Sequence, residues 1–124
     1  MKEVWVVDDD EEMARAISLM LKLLDYTSTH FINPRPAAQA LLAGKRPDLL
    51  ILDINMPEVT GLDMLEFLRR RSEWKRLPVI MLSSEAADVM VDKALKLGAD
   101  GYVMKPVTIE ELEKAMAQAF YKHL

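Results

Sequence analysis

VWVVDDDEE, residues 4–12, carries four apolar residues straight into five carboxylates. An apolar run unbroken by polar residues suits a strand buried on both faces, and the acids after it suit the exposed start of a helix. Like charges crowded at a strand end repel strongly unless a cation sits there. The stretch therefore poses a chemical question as well as a structural one.

Three further runs have the same character: DLLILD (48–53), PVIML (78–82) and GYVM (101–104), each bounded by Pro, Gly or Asp. YTSTHF (26–31) alternates with polar residues and reads as an edge strand. Helical segments lie between them. Pro34 and Pro36 suit the start of a helix that Gly44 stops, and Thr60 caps one that carries Leu62, Leu65 and Leu68. Gly98 closes a segment running from about 86 to 97, and Thr108 with Glu111 forms a capping box ahead of Ile109, Leu112, Met116 and Ala119. Strand and helix alternate five times, which predicts an α/β fold with a doubly wound parallel sheet, (βα)5, over residues 1–124 as one domain.

Composition narrows the function. With 124 residues, 51% hydrophobic and 29% charged, the chain suits one globular core, and a net charge of −4 offers no basic footprint for nucleic acid. The absence of cysteine excludes disulfides, thiolate metal sites and cysteine nucleophiles. No apolar stretch approaches the roughly 20 residues of a membrane span, and the first apolar run is too short for a signal peptide. A cytoplasmic protein with no membrane association is expected. The basic run RRRSEWKR (69–76) reads as the solvated end of a helix and its loop. Trp5 and Trp74 read as packing residues, and His30 and His123 lie far from the acids in sequence.

In an open sheet of this kind the ligand site lies beyond the carboxyl ends of the strands. Those ends deliver Asp8 and Asp9, then Asp53, then Ser83 and Ser84, then Lys105 followed by Pro106. Three converging carboxylates with no histidine or cysteine favour a hard divalent ion, Mg²⁺ with Mn²⁺ as a substitute. Asp10 reads as the cap of the first helix.

VVDD (6–9), LILDINMP (50–57), TG (60–61), PVIMLSS (78–84) and GADGYVMKP (98–106) together resemble the receiver domain of two-component response regulators, and most of all the chemotaxis-type single receiver. The resemblance covers essentially the whole chain. It implies the flavodoxin-like strand order 2-1-3-4-5 and a phosphorylation-activated signalling switch, not an enzyme with an external substrate. By resemblance Asp53 is the phosphoacceptor, served by a sensor histidine kinase or phosphotransfer protein. Asp8, Asp9, Asp53 and the backbone carbonyl of Asn55 are the implied metal ligands, while Lys105 and Ser83 contact the phosphoryl oxygens. Ser83 and Tyr102 form the implied switch, and Asn55 with Glu85 is implied to tune dephosphorylation; Glu85 reads equally as a first-turn helix acid. A cis Lys105–Pro106 bond is implied as well. The output surface would be helix 4, strand 5 and helix 5, acting on a downstream protein or on a C-terminal effector domain beyond this chain.

On the first helix, Met13, Ile17, Leu21 and Leu24 form a core stripe, while Leu19 and Leu23 project elsewhere with Ala16. Either that helix is buried more widely than usual, or Leu19 and Leu23 dock the phosphodonor partner. Three other readings stay open at this point: an aspartate-nucleophile phosphatase, although position 55 offers no second acid; a flavin-binding domain, although Asp8 to Asp10 would repel its phosphate; and a phosphorylation-independent interaction domain.

Overall fold

The computed structural model describes residues 2–84 and 88–124. Its elements run β1 (Glu3–Val7), α1 (Glu11–Leu23), β2 (Thr27–Phe31), α2 (Pro34–Leu42), β3 (Leu49–Asp53), α3 (Gly61–Arg69), β4 (Val79–Ser83), α4 (Asp88–Lys96), β5 (Gly101–Met104) and α5 (Ile109–Lys122). The five strands are parallel, in the order β2-β1-β3-β4-β5, as the resemblance implied. β2 is an edge strand with no residue fully buried, whereas β3 and β4 are buried throughout.

The alternation of side chains along each strand divides the core in two. Val4, Val6, Leu49, Ile51, Ile80 and Leu82 face α1 and α5, where they meet Ile17, Leu21, Leu112 and Met116. Trp5, Val7, Leu50, Leu52, Val79 and Met81 face the other way, onto Leu41 of α2, Leu65 and Leu68 of α3 and Ala94 of α4. Continuous apolar runs are thus required, because both faces of the sheet are covered. Truncating a fully buried leucine such as Leu65 to alanine costs about 2–5 kcal/mol.

Helix boundaries follow local chemistry. Asn33 caps α2 and Pro34 occupies its first turn; Gly44 beyond its end has φ 96°, and Gly98 after α4 has φ 107°, conformations that glycine adopts without a Cβ clash. Thr60 and Asp63 form a reciprocal capping box on α3. At α5 only half of the expected box forms. Thr108 Oγ1 accepts from the Glu111 backbone, but its hydroxyl engages the Glu111 carboxylate itself, 3.3 Å away.

The basic run departs from its expected solvation. Arg69 is largely buried: its Nε donates to the Gly98 carbonyl, one terminal nitrogen to the Trp74 carbonyl, and the other lies 3.1 Å from Asp100 Oδ2. Asp100 also accepts from the Val79 backbone, and its Oδ1 lies 2.8 Å from His123 Nε2. A buried guanidinium is stable here because each of its three nitrogens finds an acceptor, one of them a carboxylate. Both tryptophans are packing residues, Trp5 against Phe31 and Trp74 against Phe67.

Candidate functional site

Where the strand order reverses, β1 and β3 lie side by side, and their carboxyl ends open the crevice that the fold reserves for ligands. Asp8 follows β1 directly and is fully buried, because its N–H continues the pairing with β2 through the Phe31 carbonyl at 3.0 Å. His30 Nε2 lies 2.7 Å from the Asp8 carbonyl oxygen. That oxygen can only accept, so Nε2 carries the proton. His30, remote in sequence, thus braces the loop that carries the acids.

Asp9 is exposed, and Asp10 caps α1 by accepting from the backbones of Glu12 and Met13. Asp53 is the last residue of β3 and is 3% exposed. Asp8, Asp9 and Asp53 each present a carboxylate oxygen, all within 4.8 Å of one another.

Lys105 enters from β5. Its backbone N–H donates to the Ser83 carbonyl at 2.8 Å, which fixes the exit of β5 against that of β4, and the Lys105–Pro106 bond is cis. The ammonium lies 3.2 Å from Asp8 Oδ2 and 3.4 Å from Asp53 Oδ2. Burial works against its charge, but Asp53 and Asp8 outweigh that and hold the Lys105 pKa above its ordinary value.

The Asp53 pKa is raised as well, which for an acid disfavours the charged form. Burial first, and the Asp8 charge second, raise its pKa to about 6, while Lys105 and the Asn55 N–H, 3.4 Å from Oδ1, draw it down only in part. One ammonium does not balance three carboxylates.

A divalent cation fits this donor set. Asp8 Oδ2 is buried, and the Lys105 ammonium that lies 3.2 Å from it is shared with Asp53, so one cation serves two buried carboxyl groups. Asp8 belongs to an all-oxygen cluster of the kind that binds hard ions.

Ser83 closes β4, fully buried; Tyr102 on β5 is half-buried, in register with Met81 and packed on the α2/α3/α4 side of the sheet. Alternation along β4 puts Ser83 on the face of Met81, so Ser83 and Tyr102 occupy one face of neighbouring strands. Asn55 lies exposed in the loop after β3. Glu85 lies outside the described residues. Leu19 and Leu23 stand apart from the site on α1, 60% and 68% exposed, while Ile17 and Leu21 are fully buried. Met13 and Leu24 are half-buried, and Ala14 joins Ile17 and Leu21 as the buried residues of α1.

Gly61 is a structural partner whose role the sequence leaves unstated. A Cβ at this position would stand 2.1 Å from the Asp53 carbonyl oxygen, and the Gly61 N–H donates to the Ile54 carbonyl at 3.1 Å. The first turn of α3 therefore abuts the backbone of Asp53 through a gap that fits only hydrogen. The TG pair was the only sequence sign of it.

A profile for the response regulator receiver domain matches residues 4–117. This chain belongs to the response regulator receiver family. The receiver is 34% identical over 118 residues to chemotaxis protein CheY of Pseudomonas aeruginosa, spanning 95% of either chain. Chemotaxis protein CheY4 of Vibrio cholerae has the same fold: its solved structure aligns with a TM-score of 0.86 at 30% identity, over 96% of this receiver and 98% of that chain. Similarity extends to longer proteins, as in protein RcaC of Microchaete diplosiphon, 34% identical over 110 residues that amount to 17% of its length. No helix among the described residues is long and apolar enough to cross a membrane.

Proposed function

We propose that this receiver is a cytoplasmic signalling switch that takes a phosphoryl group onto Asp53 from a histidine kinase or phosphotransfer protein. The observation that carries the reading is the buried Asp53 carboxylate, held 3.4 Å from the Lys105 ammonium inside a three-acid cluster that accommodates a divalent ion. In the transfer, an Asp53 carboxylate oxygen forms a bond to phosphorus as the bond to the donor imidazole nitrogen breaks, and that nitrogen keeps the electron pair. With a pKa of about 6, Asp53 is mostly ionised at neutral pH and so available as the nucleophile.

Asp8, Asp9, Asp53 and the Asn55 carbonyl would hold Mg²⁺, or Mn²⁺ in its place. When bound, such an ion neutralises charge that develops on the transferring oxygens. Lys105 holds a positive charge where those oxygens arrive, and the Ser83 hydroxyl donates to one of them. Drawing Ser83 toward the phosphoryl group frees space on its face of the sheet, into which Tyr102 turns, altering the surface of α4, β5 and α5. That surface acts on a downstream protein or on an attached effector domain. Asn55 and Glu85 set how readily water reaches the acyl phosphate, and Leu19 and Leu23 dock the donor.

Intact-mass spectrometry after incubation with acetyl phosphate tests the chemistry. A gain of one phosphoryl group that requires both Mg²⁺ and Asp53, and is lost in Asp53→Asn, is expected. No gain in folded protein would favour a phosphorylation-independent interaction domain. A gain that survives Asp53→Asn would place the nucleophile elsewhere.

A further inference from the structure

The amino ends of the strands, opposite the acid cluster, carry a second charged site. A cleft of about 270 Å³ opens there, bordered by Lys2, Arg46, Arg76 and His123, with Asp48 as the acid among these and Phe120 at its wall. The cations come from segments far apart in sequence: the residue before β1, the loop before β3 and the loop before β4, while His123 and Phe120 join them from the end of α5. In a chain of net charge −4, this gathering of positive charge runs against the overall balance.

Asp48 offsets only part of it. Among the described residues Lys2, Arg46 and Arg76 each lack a carboxylate within ion-pair distance. Arg46 donates to a backbone carbonyl, that of Glu73, at 2.8 Å, and Lys2 lies 4.1 Å over the Phe120 ring. Arg76 has no hydrogen bond or ion pair among the described residues. Asp48 is already engaged: its Oδ2 accepts from the Glu3 N–H at 2.7 Å, and its own N–H donates to the Glu3 carbonyl at 2.8 Å. The Glu3 carboxylate is turned to Trp5 Nε1 and Thr29 Oγ1.

The frame is rigid as well as charged. The double link between Glu3 and Asp48 ties the starts of β1 and β3, and the Leu50 N–H donates to the Pro78 carbonyl at 2.9 Å, tying in the start of β4. His123 is oriented by Asp100. Two guanidiniums and an ammonium outnumber the single Asp48 side chain that borders the same cleft, and a multiply charged anion relieves the excess of positive charge. Guanidinium forks suit phosphate oxygens in particular.

The geometry points to a binding site for a small polyphosphate anion at the amino end of the sheet, separate from the Asp53 site. The two sites lie a strand length apart, roughly 15 Å, so an occupant of the cleft does not touch the acid cluster. Phe120 already has Lys2 over its ring and Tyr26 stacked beside it, which leaves the phosphate chain as the recognised feature.

Calorimetric titration of the full chain with tripolyphosphate, in EDTA and at physiological salt, tests this. One-to-one binding is expected, weakened about tenfold by Arg46→Ala or by Arg76→Ala and further by both together, as loss of a charged hydrogen bond requires. Arg70→Ala, at the exposed C-cap of α3 and paired with Glu66, should leave it unchanged. Arg76→Ala removes no hydrogen bond or ion pair among the described residues, so this arm stands even if Arg46→Ala disturbs folding. Absence of binding, or equal weakening by all three substitutions, overturns the site. Binding of a single-stranded oligonucleotide, lost in the double variant, without binding of tripolyphosphate, replaces the small anion with nucleic acid and likewise overturns the proposal.

Discussion

Replacing Asp53 by asparagine should make the metal-free protein more stable. In the native fold the Asp53 carboxyl titrates at about 6 against an ordinary value of 3.8. At 1.36 kcal/mol per tenfold change, that difference corresponds to roughly 3 kcal/mol of native-state destabilisation whenever the group must ionise. The direction follows from proton counting. Below pH 3.8 both the native and the unfolded chain keep this proton, and ionisation at this group costs nothing. Between 3.8 and about 6 the native state still holds a proton that the unfolded chain has released, so the group's contribution to stability falls as pH rises. Above 6 the full cost is present.

Asparagine carries no charge to desolvate, so urea unfolding in EDTA at pH 7.5 should find Asp53→Asn about 1.5–3 kcal/mol more stable than the native chain. In a domain of this size that is a rise in Tm of about 6–12 °C. The difference should shrink toward zero near pH 3.5. Mg²⁺ at ten times its dissociation constant should then restore about 1.4 kcal/mol to the native chain and less to the variant. A variant less stable than the native chain at pH 7.5, or a stabilisation that grows as pH falls, would refute the reasoning that burial and Asp8 set the Asp53 titration.

Gly61→Ala forces the first turn of α3 away from the Asp53 carbonyl; urea unfolding should show a loss of about 1–3 kcal/mol, and labelling by acetyl phosphate should slow more than the loss of folded protein explains. Arg69→Ala leaves the Asp100 carboxylate without its guanidinium, and chemical denaturation should register about 3–5 kcal/mol, the cost of breaking a buried pair. Leu19→Glu, at a site 60% exposed, should change stability by less than about 0.5 kcal/mol. It should slow phosphotransfer from a phosphohistidine protein while leaving reaction with acetyl phosphate intact, and equal slowing of both would remove Leu19 from the docking surface.

Elements whose chemistry is local were legible in the sequence. The buried strands fell within a residue of their observed bounds, because an unbroken apolar run between turn residues has few other uses in an alternating chain. Asp8, Asp9, Asp53 and Lys105 could be gathered because the fold rule places every strand's carboxyl end on one rim. What escaped depends on packing between distant segments. Arg69 and Asp100 are 31 residues apart, and Asp100 and His123 23, and no periodicity announces such pairs. Arg69 looked like its exposed neighbours Arg70 and Arg71, yet its position on α3 turns it under the α4–β5 connection. His30 was likewise invisible as a brace for Asp8, since nothing in TSTHF shows which side chain reaches over a neighbouring loop. The same holds for the cleft at the strands' amino ends, whose cations are singletons until the sheet assembles them.

The division of the core into two faces has a consequence for how such a switch diversifies. Ser83 and Tyr102 lie on the layer shared with α2, α3 and α4, whereas α1, with the proposed docking leucines, is anchored by Ile17 and Leu21 on the opposite layer. Substitutions on separate layers share few neighbours, so their effects should combine additively. The Ser83–Tyr102 layer and the α1 face can therefore vary as two nearly independent traits with the sheet as the partition between them, while α5, which shares the layer of α1, is the part of the proposed output surface that stays tied to the docking side.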